Sequence, residues 1–314
     1  MSDNNSNAAA LIALDWGTSS LRAFLLAADG AVLEQRHRPW GISSLPEGGY
    51  PAAFLQIAAD WPIRDVPLIA SGMVGSRAGW KQIEYRALPA DPSGLADALD
   101  SVLCPLPDGG EIAVRLVPGL LDPAGPDVMR GEETEAIGAL DALGHPPGPL
   151  LLVMPGTHSK WLRVSGGVVE GFSTFMTGEL FALLNTRSIL ASGAEPAPGT
   201  ATDTVFAEAV REAAETGLAA ALFRTRARML TGALDPACTA AHLSGLLIGE
   251  ELTAALRTVP QSHSSSRIVL VGDPALTARY RDAFAALGRK APEHLQAAAL
   301  RGLYRIAVSA GLAG

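Results

Sequence analysis

The hydrophobic pattern at the start of the chain predicts a three-stranded meander. Its strands are predicted over residues 11–14, 22–27 and 31–37. The first strand is a buried apolar run that ends at Asp15, and a small, hydroxyl-rich turn follows over residues 16–20. Asp29-Gly30 is a strong hairpin signal between the second and third strands. A carboxylate at a strand end, followed by free backbone N–H groups in a turn, indicates a phosphate-binding hairpin.

A second copy of this pattern occupies residues 150–173. An apolar run leads into the turn Pro155–Ser159, a strand follows, and Gly166-Gly167 reverses the chain into another strand. The pairs Gly17-Thr18 and Gly156-Thr157 match at an offset of a little under half the chain. Two similar hairpins, one opening each half, predict a duplicated two-domain α/β architecture with a cleft between the halves.

The remaining pattern is of short strands and small-residue helices. Further strands are predicted over residues 66–70, 111–118 and 267–271. Helices are predicted over 52–60, 95–103, 136–143, 175–189, 203–230, 240–258, 275–287 and 292–310. The clearest linker, rich in Gly and Pro, is 144–149. We therefore predict one domain over residues 1–145 and a second over 146–314.

Two segments of the first half carry candidate chemistry. The loop 71–80 follows a buried strand, where open α/β sheets place ligand contacts, and its glycines around Arg77 leave room for a ligand. A plain turn with a solvated arginine is the alternative. Glu132 and Glu133 follow Gly131 at a helix start, where the helix dipole favours acids. An acidic cap explains one glutamate there, and explains several acids beside Arg130 less well.

Composition and charge narrow the class of protein. The chain has 314 residues, 48% of them hydrophobic, with a net charge of −8 and a pI near 5.3. This argues against nucleic acid or an anionic membrane as a partner held by bulk charge. The two cysteines are far apart, and the first ten residues lack the pattern of a signal peptide, so we expect a cytoplasmic protein.

Several nucleotide and catalytic motifs are absent from the sequence. It contains no Walker A spacing, no GxGxxG, no GxSxG elbow and none of the protein-kinase signatures. The segments that carry candidate chemistry are, in chain order, ALDWGTSSLRAFLL, SGMVGSRAGW, MRGEETEAIGAL, MPGTHSKW, FMTGELFALL and LVGDPAL. This order resembles the actin/hexokinase/Hsp70-like ATPase superfamily, and more closely the 2-dehydro-3-deoxygalactonokinase family of bacterial sugar-acid kinases.

The resemblance covers nearly the whole chain from residue 11 and implies a fold and an activity. The fold would be two ribonuclease H-like domains flanking an ATP cleft. The activity would be ATP-dependent phosphorylation of the 6-hydroxyl of 2-dehydro-3-deoxygalactonate, with Mg²⁺. Asp15 would lie near the metal, through water, because Mg²⁺ keeps several waters. The implied ATP contacts are Gly17, Thr18, Ser19, Gly156, Thr157, Ser159, Lys160, Gly272 and Asp273.

The general base and the substrate contacts are also implied by the resemblance. In related sugar kinases the base is an acid at the start of the first connecting helix, which here is Glu132 or Glu133, and the alignment of the helix favours Glu132. Arg77 is the predicted partner of the substrate carboxylate, with Arg22 as the runner-up. Ser71, Trp80 and Thr177 are predicted to line the pocket.

Other functions stay open on the sequence alone. The substrate could be another sugar acid, such as 2-dehydro-3-deoxygluconate, which differs at one hydroxyl stereocentre. A non-catalytic actin-like nucleotide-binding regulator would keep both hairpins without needing the acids of residues 132–133. A phosphohydrolase of the same superfamily would use water in place of a sugar. A homodimer is also compatible with the sequence.

Overall fold

The computed structural model of the chain describes residues 8–191, 193, 199–296 and 298–314. Contacts between these residues divide the chain into two units. The first contains the described residues of Met1–Pro147, Val164–Gly171 and Ala297–Gly314, and the second those of Gly148–Arg163 and Phe172–Gln296. Each unit has its own sheet and its own hydrophobic core.

The first unit is built on a six-stranded sheet of order β3-β2-β1-β4-β7-β6, beside a three-stranded sheet of order β5-β8-β9. The strands are β1 (Ala9–Trp16), β2 (Leu21–Ala27), β3 (Val32–Arg38), β4 (Leu68–Ser71), β5 (Arg86–Ala87), β6 (Asp100–Pro105), β7 (Glu111–Leu116), β8 (Leu120–Asp122) and β9 (Asp127–Met129). Strand β1 pairs antiparallel with β2 and parallel with β4. The predicted opening meander is therefore confirmed as β1–β3.

Three helices of the first unit lie between these strands or after them in the chain: α1 (Gly49–Ile57), α2 (Pro92–Asp97) and α3 (Glu132–Ala142). The core forms where the apolar face of α1, through Phe54 and Ile57, meets the buried side chains of β1. Helix α3 begins at the acidic residues that the sequence places after Gly131, because three carboxylates in its first turn complement the helix dipole.

The second unit repeats the strand order of the first. Its sheet has the order β12-β11-β10-β13-β14, so that a three-strand meander is again followed by two further strands. The strands are β10 (Leu150–Met154), β11 (Ser159–Ser165), β12 (Val168–Phe175), β13 (Arg267–Val271) and β14 (Glu293–Leu295). Strand β13 pairs parallel with both β10 and β14. The repeated order is the duplicated architecture predicted from the two hairpins.

The described residues of the second unit contain five helices: α4 (Thr177–Arg187), α5 (Thr200–Thr216), α6 (Leu218–Thr231), α7 (Thr239–Thr258) and α8 (Pro274–Ala286). Helices α5 and α7 approach closely because α7 carries glycine where the backbones meet. A Cβ on Gly245 would lie 2.4 Å from Phe206 O, and one on Gly249 would lie 2.6 Å from Val210 O. The two glycines thus set the position of α7, which passes through the middle of the unit.

The last helix of the chain, α9 (Ala299–Ser309), belongs to the first unit and not to the second. It packs against α3 at two glycines. A Cβ on Gly302 would lie 1.8 Å from Thr134 O, and one on Gly138 would lie 2.0 Å from Ala298 O. The predicted second domain, 146–314, therefore differs from the observed division, in which α9 and the tip of the β11–β12 hairpin join the first unit.

The helix predicted over 203–230 is two helices, α5 and α6, which meet at Gly217. Two other predicted helices also differ from the structure. The helix predicted over 95–103 ends at Asp97, and β6 follows, because Val102 and Cys104 pair with Val114 and Ile112 of β7. The helix predicted over 292–310 is preceded by strand β14, which completes the parallel edge of the second sheet. In both cases a strand partner distant in sequence outweighs local helix propensity. Among the described residues, no helix is both long and apolar enough to span a membrane.

Candidate active site

Asp15 lies at the carboxyl end of β1, next to the end of β4. The parallel register of these strands places Asp15 beside Ser71, whose side chain is buried. The side chain of Asp15 is 18% exposed and forms an ion pair with Arg22 on the neighbouring strand β2. Arg22, the runner-up for the substrate carboxylate, is therefore engaged with Asp15. The arrangement leaves one carboxylate partly open to solvent at the sheet edge where ligands commonly bind.

Hydrogen bonds from the segment that follows β3 hold the first turn, Gly17–Ser20, in place. The carbonyl of Thr18 accepts hydrogen bonds from the backbone N–H and the hydroxyl of Ser43, at 3.2 and 2.7 Å. Gly41 makes this approach possible, since a Cβ there would lie 2.1 Å from Thr18 O. Thr18 and Ser19 themselves are exposed. The turn therefore directs a carbonyl inwards and leaves two predicted phosphate contacts at the surface of the first unit.

The start of α3 lies against the end of β4. Gly131 has a φ of 111°, and a Cβ on it would lie 3.4 Å from Gly72 Cα. Glu132, the first residue of the helix, is partly exposed, and its Oε2 accepts the backbone N–H of Arg130 at 3.1 Å. The two predicted groups of the first half, the acids of α3 and the loop after β4, are therefore neighbours within one unit.

Glu133 differs from Glu132 because it is buried, with 1% of its surface exposed. Its Oε2 accepts the Gly131 N–H at 2.6 Å, and its Oε1 accepts the Thr134 hydroxyl at 3.1 Å. Burial, followed by the negative charge of Glu132, raises the pKa of the Glu133 carboxyl to about 7. A carboxyl with both oxygens used inside the protein is poorly placed to meet a substrate hydroxyl. Of the two predicted bases, the geometry favours Glu132.

Glu135 is a further candidate site residue, which the sequence analysis did not single out. It stands three positions after Glu132, on the same face of α3. Burial raises the pKa of its carboxyl, and the charges of Asp15 and Glu132 raise it further. Within the described part of the chain, the buried Oε1 of Glu135 has no hydrogen-bond partner. The sequence signal for Glu135 was its spacing of three residues from Glu132, which places both acids on one face of a helix.

The loop that carries Arg77 is anchored by aromatic rings. The ring of Trp80 stacks on Tyr50 with centroids 5.9 Å apart and meets the edge of Trp16 at the same separation. The hydroxyl of Tyr50 donates to the carbonyl of Ala78 at 2.8 Å, and Arg77 itself is exposed in the turn. The structure therefore gives Trp80 a clear anchoring role and leaves Arg77 accessible.

A half-buried arginine, Arg130, packs against the same loop. Arg130 donates to the carbonyl of Ile83 at 2.9 Å, and its guanidinium lies 4.4 Å from the centre of the Tyr85 ring. A Cβ on Gly75 would come within 2.9 Å of Arg130 Nη1. Arg130 therefore packs under the loop 71–80, directly before the start of α3, and connects the two predicted halves of the substrate site.

In the second unit, the turn Pro155–His158 between β10 and β11 is held by the start of α4. A Cβ on Gly178 would lie 2.4 Å from Gly156 O, and the Glu179 N–H donates to Thr157 O at 3.0 Å. Thr157 is exposed, and His158 Nε2 lies 2.5 Å from Glu179 Oε2. As in the first turn, a backbone carbonyl is held by contacts within the unit, while the side chain of a threonine in the turn is exposed.

Three predicted ligand contacts in this unit are buried, and their side chains bond to other residues of the protein. The hydroxyl of Ser159 lies 2.9 Å from the Tyr280 hydroxyl in the interior. Thr177, predicted to line the substrate pocket, donates its hydroxyl to the buried Glu251. Lys160 is 4% exposed, and its ammonium donates to the Thr174 hydroxyl at 2.9 Å. Each side chain is used inside the protein, which the local motif did not reveal.

Gly272 and Asp273, predicted to contact adenosine, follow β13 and lead into α8. Gly272 has a φ of 135°, donates its N–H to Leu295 O at 3.1 Å, and a Cβ on it would lie 3.8 Å from Pro155 O. The Asp273 carboxylate caps α8 by accepting the N–H groups of Ala275 and Leu276 at 2.9 and 3.0 Å. The predicted adenosine loop and the second turn are therefore adjacent.

These features define a class of protein before any comparison is made. Two sheets share one strand order, each opens with a small-residue turn, and an acidic helix start lies against the end of β4: this is the actin/hexokinase-type ATPase fold. A family model described as 2-keto-3-deoxy-galactonokinase matches residues 15–306. The chain belongs to the 2-keto-3-deoxy-galactonokinase family of phosphotransferases.

Individual relatives agree with this assignment. A probable 2-dehydro-3-deoxygalactonokinase of Rhizobium meliloti (strain 1021) is 39% identical over 285 residues, covering 88% of this chain and 89% of the relative. The 2-dehydro-3-deoxygalactonokinase of Escherichia coli (strain K12) is 39% identical over 280 residues, covering 88% and 90%. A crystal structure of a candidate 2-dehydro-3-deoxygalactonokinase from Sinorhizobium meliloti superposes with a TM-score of 0.83 at 36% identity, over 95% of this chain and 98% of the other.

Proposed function

We propose that this chain transfers the γ-phosphoryl group of ATP to the 6-hydroxyl of 2-dehydro-3-deoxygalactonate. The observation that carries the proposal is the identity of 39% over 88% of the chain to two proteins named for this activity. The chemistry of the first unit supports it, because a partly exposed carboxylate on α3 adjoins a loop with an exposed arginine. Those are the groups that a sugar acid requires: a proton acceptor for a hydroxyl and a cation for a carboxylate.

Glu132 is the proposed general base. The oxygen of the substrate hydroxyl attacks the γ-phosphorus, its proton passes to the Glu132 carboxylate, and the bond to the β-phosphate oxygen breaks to release ADP. Glu132 is preferred to Glu133 because it is partly exposed, whereas both oxygens of Glu133 accept hydrogen bonds within the protein. The base supplies only part of the rate, since phosphoryl transfer depends mainly on positioning and on charge stabilisation.

Asp15 is the proposed protein group nearest to Mg²⁺. Among the described residues no group of three or more His, Cys, Asp or Glu side chains could hold a metal ion. This suits Mg²⁺, which kinases bind through one or two carboxylates together with phosphates and water. Burial raises the pKa of Glu135, a backbone hydrogen bond from Ala298 lowers it, and the charges of Asp15 and Glu132 raise it. Its buried Oε1 has no hydrogen-bond partner among the described residues, so this cluster of carboxylates favours a cation. When bound, Mg²⁺ would offset negative charge on the phosphates.

The second unit is proposed to bind the nucleotide. Thr157 is exposed in the turn after β10, and Gly272 lies beside that turn with a backbone conformation that favours glycine. The backbone can therefore approach a nucleoside at Gly272 without interference from a side chain. Arg77 and the surrounding loop of the first unit are proposed to bind the carboxylate of the sugar acid.

The free cysteines support a reducing location. Cys104 and Cys238 are both buried, and neither takes part in a disulfide. We propose that the enzyme works in the cytoplasm, where thiols stay reduced.

An assay of ATP consumption over a panel of sugar acids tests the proposed activity. The panel should contain 2-dehydro-3-deoxygalactonate, its gluconate epimer and a neutral sugar of the same length. We expect the highest kcat/KM with the galactonate compound. A preference for the epimer would assign a different sugar acid, and ATP hydrolysis without any acceptor would point to a phosphohydrolase.

The role of Glu132 has its own test. Glu132→Gln keeps the size of the side chain but removes the proton acceptor, so kcat should fall about 10²–10⁴-fold. Glu133→Gln is the matched control, and its kcat should stay within severalfold of the wild type. If Glu133→Gln were inactive and Glu132→Gln active, the base would be Glu133.

A further inference from the structure

A single buried carboxylate, Glu251, joins four elements of the second unit. It lies on α7 and is 2% exposed. The Trp161 Nε1–H donates to its Oε1 at 2.8 Å, and the Tyr280 hydroxyl donates to its Oε2 at 2.6 Å. The Thr177 hydroxyl donates to the same Oε2. Three donors from β11, α4 and α8 therefore meet on one side chain of α7.

Burying a carboxyl group away from water costs free energy, so the position of Glu251 needs a physical reason. Burial raises the pKa of Glu251, while the hydrogen bonds from its neighbours lower it. The fold could have filled the same space with an apolar side chain, which is often as stable as a buried charge or more so. A buried acid that accepts three hydrogen bonds instead fixes the orientation of the groups that donate them.

One of these donors, Thr177, and a further hydroxyl residue, Ser159, stand at the two edges of the turn Pro155–His158. Thr177 is followed by Gly178, which packs on the carbonyl of Gly156, and by Glu179, whose N–H donates to Thr157 O at 3.0 Å. On the other edge Ser159, the first residue of β11, bonds through its hydroxyl to the Tyr280 hydroxyl at 2.9 Å. The position of the turn thus depends on contacts that lead to Glu251 from both sides.

Another of the three donors, Tyr280, leads to the proposed adenosine loop. Tyr280 lies on α8, the helix that starts directly after Gly272 and Asp273. Its hydroxyl contacts both Glu251 and Ser159. The loop before α8 and the turn before β11 are therefore tied to the same carboxylate, although they are far apart in the sequence.

We propose that Glu251 is a positioning residue for the nucleotide: through Thr177 and Tyr280 it holds the turn Pro155–His158 and the loop at Gly272 in the arrangement that binds ATP. This inference rests on the proposed function for the identity of the nucleotide. Glu251 touches neither reactant, and it acts through the hydroxyl groups that it accepts. The role also explains why Ser159 and Thr177 carry hydroxyls while remaining inside the protein.

The contact between Thr177 and Glu251 is the best point of perturbation. Replacing Glu251 itself would leave three buried donors without an acceptor and could unfold the chain. Thr177→Val removes one hydroxyl and keeps the shape of the side chain, whereas Thr177→Ser keeps the hydroxyl. Thr225→Val is the matched structural control, because Thr225 is also buried and bonds to Ala221 O and His242 Nδ1 on helices without a proposed nucleotide contact.

The readouts are KM for ATP, KM for the sugar acid, the calorimetric Kd for ADP and the melting temperature. Thr177→Val should raise KM for ATP and Kd for ADP about five- to tenfold, the size expected for one hydrogen bond, with KM for the sugar acid within twofold. Thr177→Ser and Thr225→Val should keep both nucleotide constants within twofold of the wild type. Tyr280→Phe, which breaks the link to α8, should weaken ADP binding in the same way.

Two results would overturn the proposal. One is a loss of melting temperature in Thr177→Val and Thr225→Val alike, with unchanged nucleotide constants, which would make Glu251 purely structural. The other is a selective rise in KM for the sugar acid in Thr177→Val, which would return Thr177 to the substrate pocket. Binding of ADP needs no sugar acid, so a wild type inactive on 2-dehydro-3-deoxygalactonate would refute the proposed activity and leave this test intact.

Discussion

Replacing Glu133 by glutamine should change how the stability of the protein depends on pH. The carboxyl is 1% exposed, and its pKa is raised from 4.5 to about 7 by burial and by the charge of Glu132. A glutamine in this position can still accept the Gly131 N–H through its oxygen, and the Thr134 hydroxyl can turn to accept from its amide. The substitution therefore removes the titration while keeping the shape of the site.

The sign and the size of this pH effect on stability follow from the difference in proton binding between the folded and unfolded chains. Between the unfolded value of 4.5 and the folded value of about 7, the folded chain holds a proton that the unfolded chain has lost. The stabilisation from Glu133 is therefore fully present below pH 4.5 and is lost as the pH rises to 7. Between pH 5 and pH 8 this one group should lower the free energy of unfolding of the wild type by roughly 2–3 kcal/mol.

Urea unfolding of the wild type and Glu133→Gln at pH 5, 6, 7 and 8 measures this difference, because the other titrating groups are common to both. The variant should gain stability relative to the wild type as the pH rises. Glu132→Gln should remove part of the slope, since the charge of Glu132 is the second cause of the shift. Parallel curves for the wild type and Glu133→Gln would refute the raised pKa and, with it, the argument that Glu133 is a buried structural acid.

Two further predictions concern the first unit. Asp15→Asn should lower kcat about 10²-fold or more while leaving the melting temperature close to that of the wild type. Measuring kcat at increasing Mg²⁺ concentrations tests this, and unchanged activity with normal Mg²⁺ dependence would exclude a role of Asp15 near the metal. Arg77→Ala should raise KM for the sugar acid about tenfold, the loss expected for a charge-assisted hydrogen bond, with little change for ATP; equal use of acidic and neutral sugars by the wild type would contradict it.

The parts of the fold that depend on local sequence could be predicted. The two meanders are specified by apolar runs, turn residues and glycine pairs that lie close together in the chain. The start of α3 was also readable, because Gly131 and three acids in the first helical turn are local signals. Strand β6 could not be predicted, since it depends on pairing with β7 and its residues also suit a helix.

The predicted site residues divide into exposed and buried side chains, and the sequence did not separate the two groups. Thr18, Thr157 and Arg77 are exposed and remain predicted ligand contacts. Ser159 and Thr177 share the same motifs but turn inwards, because their partners, Tyr280 and Glu251, lie on helices far along the chain. Paired acids inside the apolar helix α7 were the one hint of Glu251.

The packing of α9 on α3 has a consequence for the order in which the chain can fold on the ribosome. Gly302 meets the backbone at Thr134, inside the helix that begins with the proposed base, and this contact becomes available only after the residues of the second unit have been synthesised. A nascent chain stalled before α9 contains every proposed substrate contact but leaves the glycine-lined face of α3 uncovered. The first unit to emerge from the ribosome is therefore the last to be completed.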